Sequence, residues 1–201
     1  ADFSACNGSG GLFIAIIGGL STVSGPSADT GSNTWTALTG QAGAAGGQLR
    51  AYYVLAPSAS ATHTFTNGTT SFGSMVVLGF SGVGSFDKES GSASPNTQPG
   101  SLTPTTDGTS LFVTGKGGGN GVTHSVDSPF TFDKENDFGS GVNYDTASAY
   151  YIQGSAGAQN PTWTVSSGAG ANIMAVFAPT GAAATWGQLL GMHTNRLVLP
   201  S

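Results

Sequence analysis

The stretch Ala51-Tyr52-Tyr53-Val54 decides the fold, because it returns 98 residues later as Ala149-Tyr150-Tyr151-Ile152. The register between the two copies continues to an apolar run in each, so that Met75-Val76-Val77-Leu78 falls on Ile173-Met174-Ala175-Val176. Self-similarity at a fixed period indicates repeated structural units. The sequence therefore predicts two related halves, residues 1–80 and 100–178.

Each half has the pattern of short strands separated by turns. Residues 12–20 form an apolar run, and residues 62–66 and 162–165 alternate threonine with larger side chains. Alternation of period two is typical of strands, and turn signals such as Asn67-Gly68 separate these segments. We expect an all-β chain in which residues 1–178 form one antiparallel β-sandwich of jelly-roll type. Two separate five-stranded domains are the alternative.

Two segments have no counterpart in the repeat. Residues 81–99 are rich in Gly, Ser and Pro and are predicted to be a linker, and residues 179–201 form a C-terminal extension. An apolar extension left in water favours aggregation, and its last segment has strand character that suits addition to a neighbour's sheet. We therefore expect an assembly interface in the extension, although folding back onto its own sandwich is equally open. The interface residues are Trp186, Leu189, Leu190, Leu197, Val198 and Leu199.

The charge content narrows the classes of partner. Only 7% of the 201 residues are Asp, Glu, Lys or Arg, with five basic residues against ten acidic ones and no basic cluster. Nucleic-acid binding needs a positively charged surface, so we expect no nucleic-acid partner. The apolar run at residues 12–20 is too short to span a bilayer. An uncharged surface rich in hydroxyl groups suits a protein that packs against copies of itself and against other particle or surface proteins.

The sequence contains no motif of a hydrolase or of a zinc site. The three histidines, His63, His124 and His193, are scattered, and no Gly-x-Ser-x-Gly elbow accompanies any of them. Zinc requires several Cys or His ligands at close spacing, and the chain has one cysteine, Cys6. We expect no catalytic residues, no enzymatic activity and no cofactor.

Calcium is the one metal for which the sequence offers ligands. Asp133, Glu135 and Asp137 lie in a short acidic segment, and carboxylate oxygens are the ligands that Ca²⁺ prefers. The segment lacks the order of an EF-hand loop, so a solvated loop is the alternative. Residues 115–121, which include Lys116, lack the P-loop signature and are predicted to form a glycine-rich loop.

A resemblance to a known family indicates where such a protein would be found. The stretches at residues 32–36, 51–53, 76–83 (VVLGFSGV) and 86–89 (FDKE) resemble β-sandwich, jelly-roll-like domains of tailed-phage virion proteins and bacterial surface proteins. That family is largely without assigned chemistry, so the resemblance implies a fold and a location but no site residues.

Together these patterns predict a non-enzymatic structural protein of a phage virion or another extracellular assembly, which self-associates through sandwich faces and terminal segments. Two other functions stay open. One is a carbohydrate-binding adhesion module, in which glycans are the partners, and the other is a subunit of an extracellular filament or surface layer. All three place the protein in a virion, outside the cell or on the cell surface.

Overall fold

The fold is given by a computed structural model of the 201-residue chain. It describes residues 2–20, 22–43, 47–68, 72–118, 122–136, 145–166, 170–181 and, for the backbone, 187–189. In these residues a 3-10 turn at Ser4–Cys6 precedes fifteen strands. The strands are β1 (Gly11–Leu20), β2 (Ala28–Asp29), β3 (Thr36–Ala37), β4 (Gln41–Ala42), β5 (Gly47–Leu55), β6 (Phe65–Thr66), β7 (Ser74–Ser81), β8 (Val83–Ser92), β9 (Ser110–Gly117), β10 (His124–Val126), β11 (Thr131–Asn136), β12 (Thr146–Gln153), β13 (Trp163–Val165), β14 (Asn172–Pro179) and β15 (Gly187–Leu189).

The strands form two larger and two smaller antiparallel sheets. The first larger sheet has the order β15-β7-β1-β5-β3, with β4 also pairing with β5, and the second has the order β11-β12-β9-β14-β8. In the first, Ile14 lies between Tyr53 and Leu78; in the second, Val113 lies between Tyr150 and Ala175. The smaller sheets pair β2 with β6 and β10 with β13.

The central core is shared by the two larger sheets. One cluster of buried side chains combines residues of β1, β5 and β7 with residues of β9 and β14, and includes Leu12, Ile14, Ile16, Val76, Leu78, Leu111, Val113, Ile173 and Phe177. Full burial of one such side chain contributes about 1.5–3 kcal/mol. The expected all-β chain of antiparallel sheets is confirmed, and the shared core is consistent with a β-sandwich.

The outer faces of both larger sheets are also buried. On the first sheet, Ala15, Ile17 and Val77 pack beneath Trp35 and Phe65. The second sheet has an equivalent layer, in which Phe112, Met174 and Val176 pack with Trp163 and Phe130. Burial on both faces explains why β1, β7 and β14 are continuous apolar runs, because neither face of these strands needs a polar residue. Among the described residues, no helix has the length and apolar character required to cross a membrane.

The expected linker at residues 81–99 contains a strand of ten residues, β8. Gly82 separates β7 from β8, and its φ of +85° suits glycine, which has no Cβ to oppose a left-handed backbone. At this residue the chain passes from the first larger sheet to the second. Residues 115–117, expected in a loop, are the end of β9.

Candidate functional site

The C-terminal extension joins the first larger sheet through β15. Gly187, Gln188 and Leu189 pair with Ser81, Phe80 and Gly79 of β7 in the same chain. The backbone of Leu189, one of the six predicted interface residues, is thus placed beside β7. The other five, Trp186, Leu190, Leu197, Val198 and Leu199, lie outside the described residues.

β15 covers only one end of β7. On its other side β7 pairs with β1 over its full length, but the described part of the chain places no strand beside Val76, Val77 and Leu78 on the β15 side. The corresponding strand of the second sheet differs, since β14 pairs with both β8 and β9 along most of its length. Edge strands with unpaired backbone groups are templates for another strand, so this part of β7, the β7 edge, is a candidate assembly site.

Asp133 and Glu135, two of the three residues proposed for calcium, lie on β11 and not in a loop. Asp133 is at a register shift, where its Oδ2 accepts a hydrogen bond from Ser148 Oγ at 3.2 Å, and Glu135 instead accepts from His124. Burial raises the pKa of Asp133, although Ser148 and Lys134 oppose this shift. Asp137 lies outside the described residues. The described residues contain no group of three or more His, Cys, Asp or Glu side chains suited to a metal ion, and the calcium site stays a prediction.

A buried carboxylate organises the layer that covers the first sheet. Asp29 accepts hydrogen bonds from Gly31 N at 2.8 Å, Asn33 Nδ2 at 2.8 Å, Trp35 Nε1 at 3.0 Å and His63 Nε2 at 3.1 Å. Burial favours a higher pKa for Asp29, but the hydrogen bonds from Trp35, Asn33 and Gly31 outweigh it and lower the pKa. These bonds tie together loops that are 34 residues apart in sequence.

Two of the three histidines, His63 and His124, lie among the described residues and act as packing groups, whereas His193 lies outside the described residues. The His63 ring lies 5.1 Å from Phe13 and 4.8 Å from Phe65, between ring centroids. His124 donates its backbone N–H to Glu135 and places Nδ1 3.2 Å from the same carboxylate, and burial lowers the pKa of His124. In the described contacts neither imidazole is hydrogen-bonded to a Ser, Thr or Cys side chain. A nucleophile and base pair of the hydrolase type requires such a bond.

Lys116 is a buried cation that the sequence did not reveal. Only 1% of the residue is exposed, and its Nζ donates to the carbonyl oxygens of Asn96 and Gly170, each at 2.8 Å. Burial lowers the pKa of Lys116 to about 8. Among the described residues no carboxylate lies within ion-pair distance of it. The amine therefore holds two loops onto the end of the second sheet by charge-assisted hydrogen bonds.

A polar cleft lies directly above these loops, at the edge of the second sheet. It has a volume of about 380 Å³. Its lining residues carry only neutral side chains and are Ser90, Gly91, Ser92, Asn96, Thr97, Gln98, Pro99, Gly100 and Asn160. β8 and residues 96–100 border the cleft, which is open to solvent.

Sequence reasoning missed the Asp29 network, Lys116 and the cleft for a common reason. The Asp29 to His63 contact spans 34 residues and the Lys116 to Gly170 contact spans 54, and no local motif encodes such separations. Comparison of the chain with family models, with curated proteins and with solved structures finds no match. The functional argument therefore depends on the residues themselves.

Proposed function

We propose that this chain is a non-enzymatic structural protein of a phage virion or another extracellular assembly, and that its copies associate by strand addition at the β7 edge. The observation that carries the proposal is that the described strands pair with only part of the outer side of β7. Its outer side is covered by β15 at Gly79–Ser81 and by no described strand at Val76, Val77 and Leu78.

The occupant we propose for the β7 edge is the C-terminal segment of a second copy. Twelve residues follow Leu189, which is more than the three backbone positions require. They include the apolar stretch Leu197-Val198-Leu199, and main-chain hydrogen bonds to a sheet edge give affinity to an added strand. A chain in which only 7% of the residues are charged offers little electrostatic repulsion between copies.

The buried polar groups support a structural function. His63 is bonded to Asp29, His124 to Glu135, and Lys116 to two carbonyl groups. Burial also raises the pKa of the Cys6 thiol to about 12, which keeps it in the unreactive thiol form at neutral pH. Each of these groups stabilises packing or loop position, and in the described contacts neither imidazole is hydrogen-bonded to a Ser, Thr or Cys nucleophile.

We further infer that the two halves arose by duplication. The offset of 98 residues carries the first and last residues of β7, Ser74 and Ser81, onto those of β14, Asn172 and Pro179. The strand order of the first sheet also parallels that of the second if β15, β7, β1, β5 and β3 correspond to β8, β14, β9, β12 and β11. The jelly-roll connectivity and the virion or cell-surface location stay predictions.

Removal of the C-terminal segment tests the assembly proposal. We expect a chain that ends at Leu189 to lose self-association in sedimentation velocity and electron microscopy while it keeps the melting temperature of the full chain, because β15 is retained. Leu197→Asp and Leu199→Asp should weaken association in the full chain. Asn195→Asp adds the same charge at a polar position and serves as the control.

The result can also oppose the proposal. A chain ending at Leu189 that assembles like the full chain would show that residues 190–201 do not join copies. A large fall in its melting temperature, together with a monomeric full chain, would show instead that the segment completes its own sheet.

A further inference from the structure

The polar cleft at β8 has a framework held by its own hydrogen bonds. Ser90 Oγ donates to Pro99 O at 2.7 Å, and Ser92 Oγ donates to Gln98 O. Gly100 has a φ of +102°, and a Cβ at this position would lie 2.6 Å from Ser90 Oγ. The loop therefore needs glycine to approach the strand this closely.

Two side-chain amides in the cleft are anchored at one end and open at the other. Gln98 Nε2 donates to Asn160 O at 3.3 Å and to Thr162 Oγ1 at 2.9 Å, while Asn160 Oδ1 accepts from Gly100 N at 3.0 Å. In the described contacts, Gln98 Oε1 and Asn160 Nδ2 have no protein partner. The anchored atoms restrain both amides, so the free acceptor of Gln98 and the free donor of Asn160 are held on two residues that line the same cleft before any ligand arrives.

Buried side chains hold the backbone of Asn96, which lines the cleft. The Asn96 carbonyl accepts from Lys116 Nζ and from Asn172 Nδ2, each at 2.8 Å. Both donor residues are buried. The Asn96 side-chain amide has no hydrogen bond in the described part of the chain, so it is a third amide of the cleft, in addition to those of Gln98 and Asn160.

We propose that this cleft binds an uncharged carbohydrate. A sugar hydroxyl both donates and accepts a hydrogen bond, and the cleft offers it both a donor, Asn160 Nδ2, and an acceptor, Gln98 Oε1. No charged side chain lines the cleft, so an acidic or basic ligand would find no ion pair there. The volume of about 380 Å³ lies within the range of small-ligand sites.

Because no aromatic ring is among the lining residues, we expect the cleft to have a low affinity for carbohydrate. Carbohydrate sites with stacked rings gain apolar contact area, whereas this cleft depends on hydrogen bonds with a modest net gain each. We expect weak binding by a single copy. Many copies in one assembly would strengthen attachment to a glycan surface through effective concentration. This proposal is independent of the assembly proposal, since a monomer contains the whole cleft.

Titration of the ¹⁵N-labelled full chain with neutral oligosaccharides tests the proposal. The probes are maltotetraose, cellotetraose, mannotetraose and N,N′,N″,N‴-tetraacetylchitotetraose at millimolar concentration, with tetragalacturonate as the acidic comparison. We expect at least one neutral probe to shift the amide signals of residues 90–94, 96–98, 100 and 160 in a saturable manner. Asn160→Asp keeps the acceptor for Gly100 N but loses the donor, and should weaken that binding about tenfold.

Asn7→Asp is the matched control. Asn7 Oδ1 likewise accepts a backbone N–H, from Ala59 at 2.9 Å, but it lies in the N-terminal segment, outside the cleft. Its binding should equal that of the unmodified chain. The proposal is overturned if no neutral probe shifts the cleft signals, if the acidic probe binds in preference, or if Asn160→Asp binds the neutral probe as well as Asn7→Asp does.

Discussion

Replacement of Lys116 by methionine should change how stability depends on pH. The lysine amine is 1% exposed and its folded pKa is about 8, against an ordinary value of 10.5. A folded pKa below the unfolded value means that the unfolded chain binds more protons between the two values. The cost of burying the charged amine is therefore fully present below pH 8 and is relieved as the pH rises towards 10.5.

The size of the effect follows from the pKa difference. The cost is about 3 kcal/mol at pH 7, and about 2 kcal/mol of it is relieved between pH 7 and pH 9.5. Lys116→Met also removes two hydrogen bonds, but their acceptors, the carbonyl groups of Asn96 and Gly170, do not titrate, so the pH dependence comes from the amine alone. Cys6 acts in the opposite direction above pH 9, since its folded pKa is raised, but its contribution is common to both proteins.

Urea denaturation at a series of pH values measures this difference. The free energy of unfolding of the wild type, minus that of Lys116→Met, should rise by about 2 kcal/mol from pH 7 to pH 9.5. Lys134→Met removes an exposed amine and is the control for net charge. A difference between wild type and Lys116→Met that is the same at every pH would refute the burial argument.

Two further predictions concern buried groups that pack against the first larger sheet but are not part of it. Asp29→Asn should lower the free energy of unfolding at pH 7 by about 2–4 kcal/mol in urea denaturation, because an amide cannot accept from both Trp35 and Asn33 while it serves Gly31 and His63. Because the pKa of Asp29 is lowered in the folded chain, the stability difference between wild type and Asp29→Asn should disappear as the pH falls from 3.8 through the folded pKa. Asp107→Asn, at an exposed position, is the control. Equal stability of Asp29→Asn and Asp107→Asn would contradict the network. The Cys6 thiol, buried with a pKa of about 12, should react with Ellman's reagent only as fast as the chain unfolds, and rapid labelling of the native protein would contradict its burial.

The parts of the fold that the sequence predicted are those with a strong local pattern. The apolar run at residues 12–20 corresponds to β1, and the alternating segments at 62–66 and 162–165 correspond to β6 and β13. β6 is shorter than the segment at 62–66 that predicted it. β8 was missed because its Asp87-Lys88-Glu89 stretch and its serines resemble a linker. Charged side chains are common on edge strands because they oppose pairing with other chains. An apolar pattern therefore cannot find such a strand.

The candidate sites were less predictable because they depend on neighbours in space. Lys116 sits between two glycines, which indicates a loop locally, yet pairing of β9 with both β12 and β14 buries it. The amides of Gln98 and Asn160 are 62 residues apart. Only the strand order brings such residues together, and local sequence patterns do not contain the strand order.

The exchange of outer strands has a mechanical consequence. β8 follows β7 in the chain but pairs with β14, while β15 follows β14 but pairs with β7. Each larger sheet thus contains an outer strand that is covalently connected to a strand of the other sheet. A force that slides one larger sheet over the other must break the β8 to β14 ladder in addition to the apolar contacts between sheets. The exchanged strands therefore connect the two larger sheets by main-chain hydrogen bonds. We expect this connection to resist shear more strongly than an apolar interface between two separate sheets.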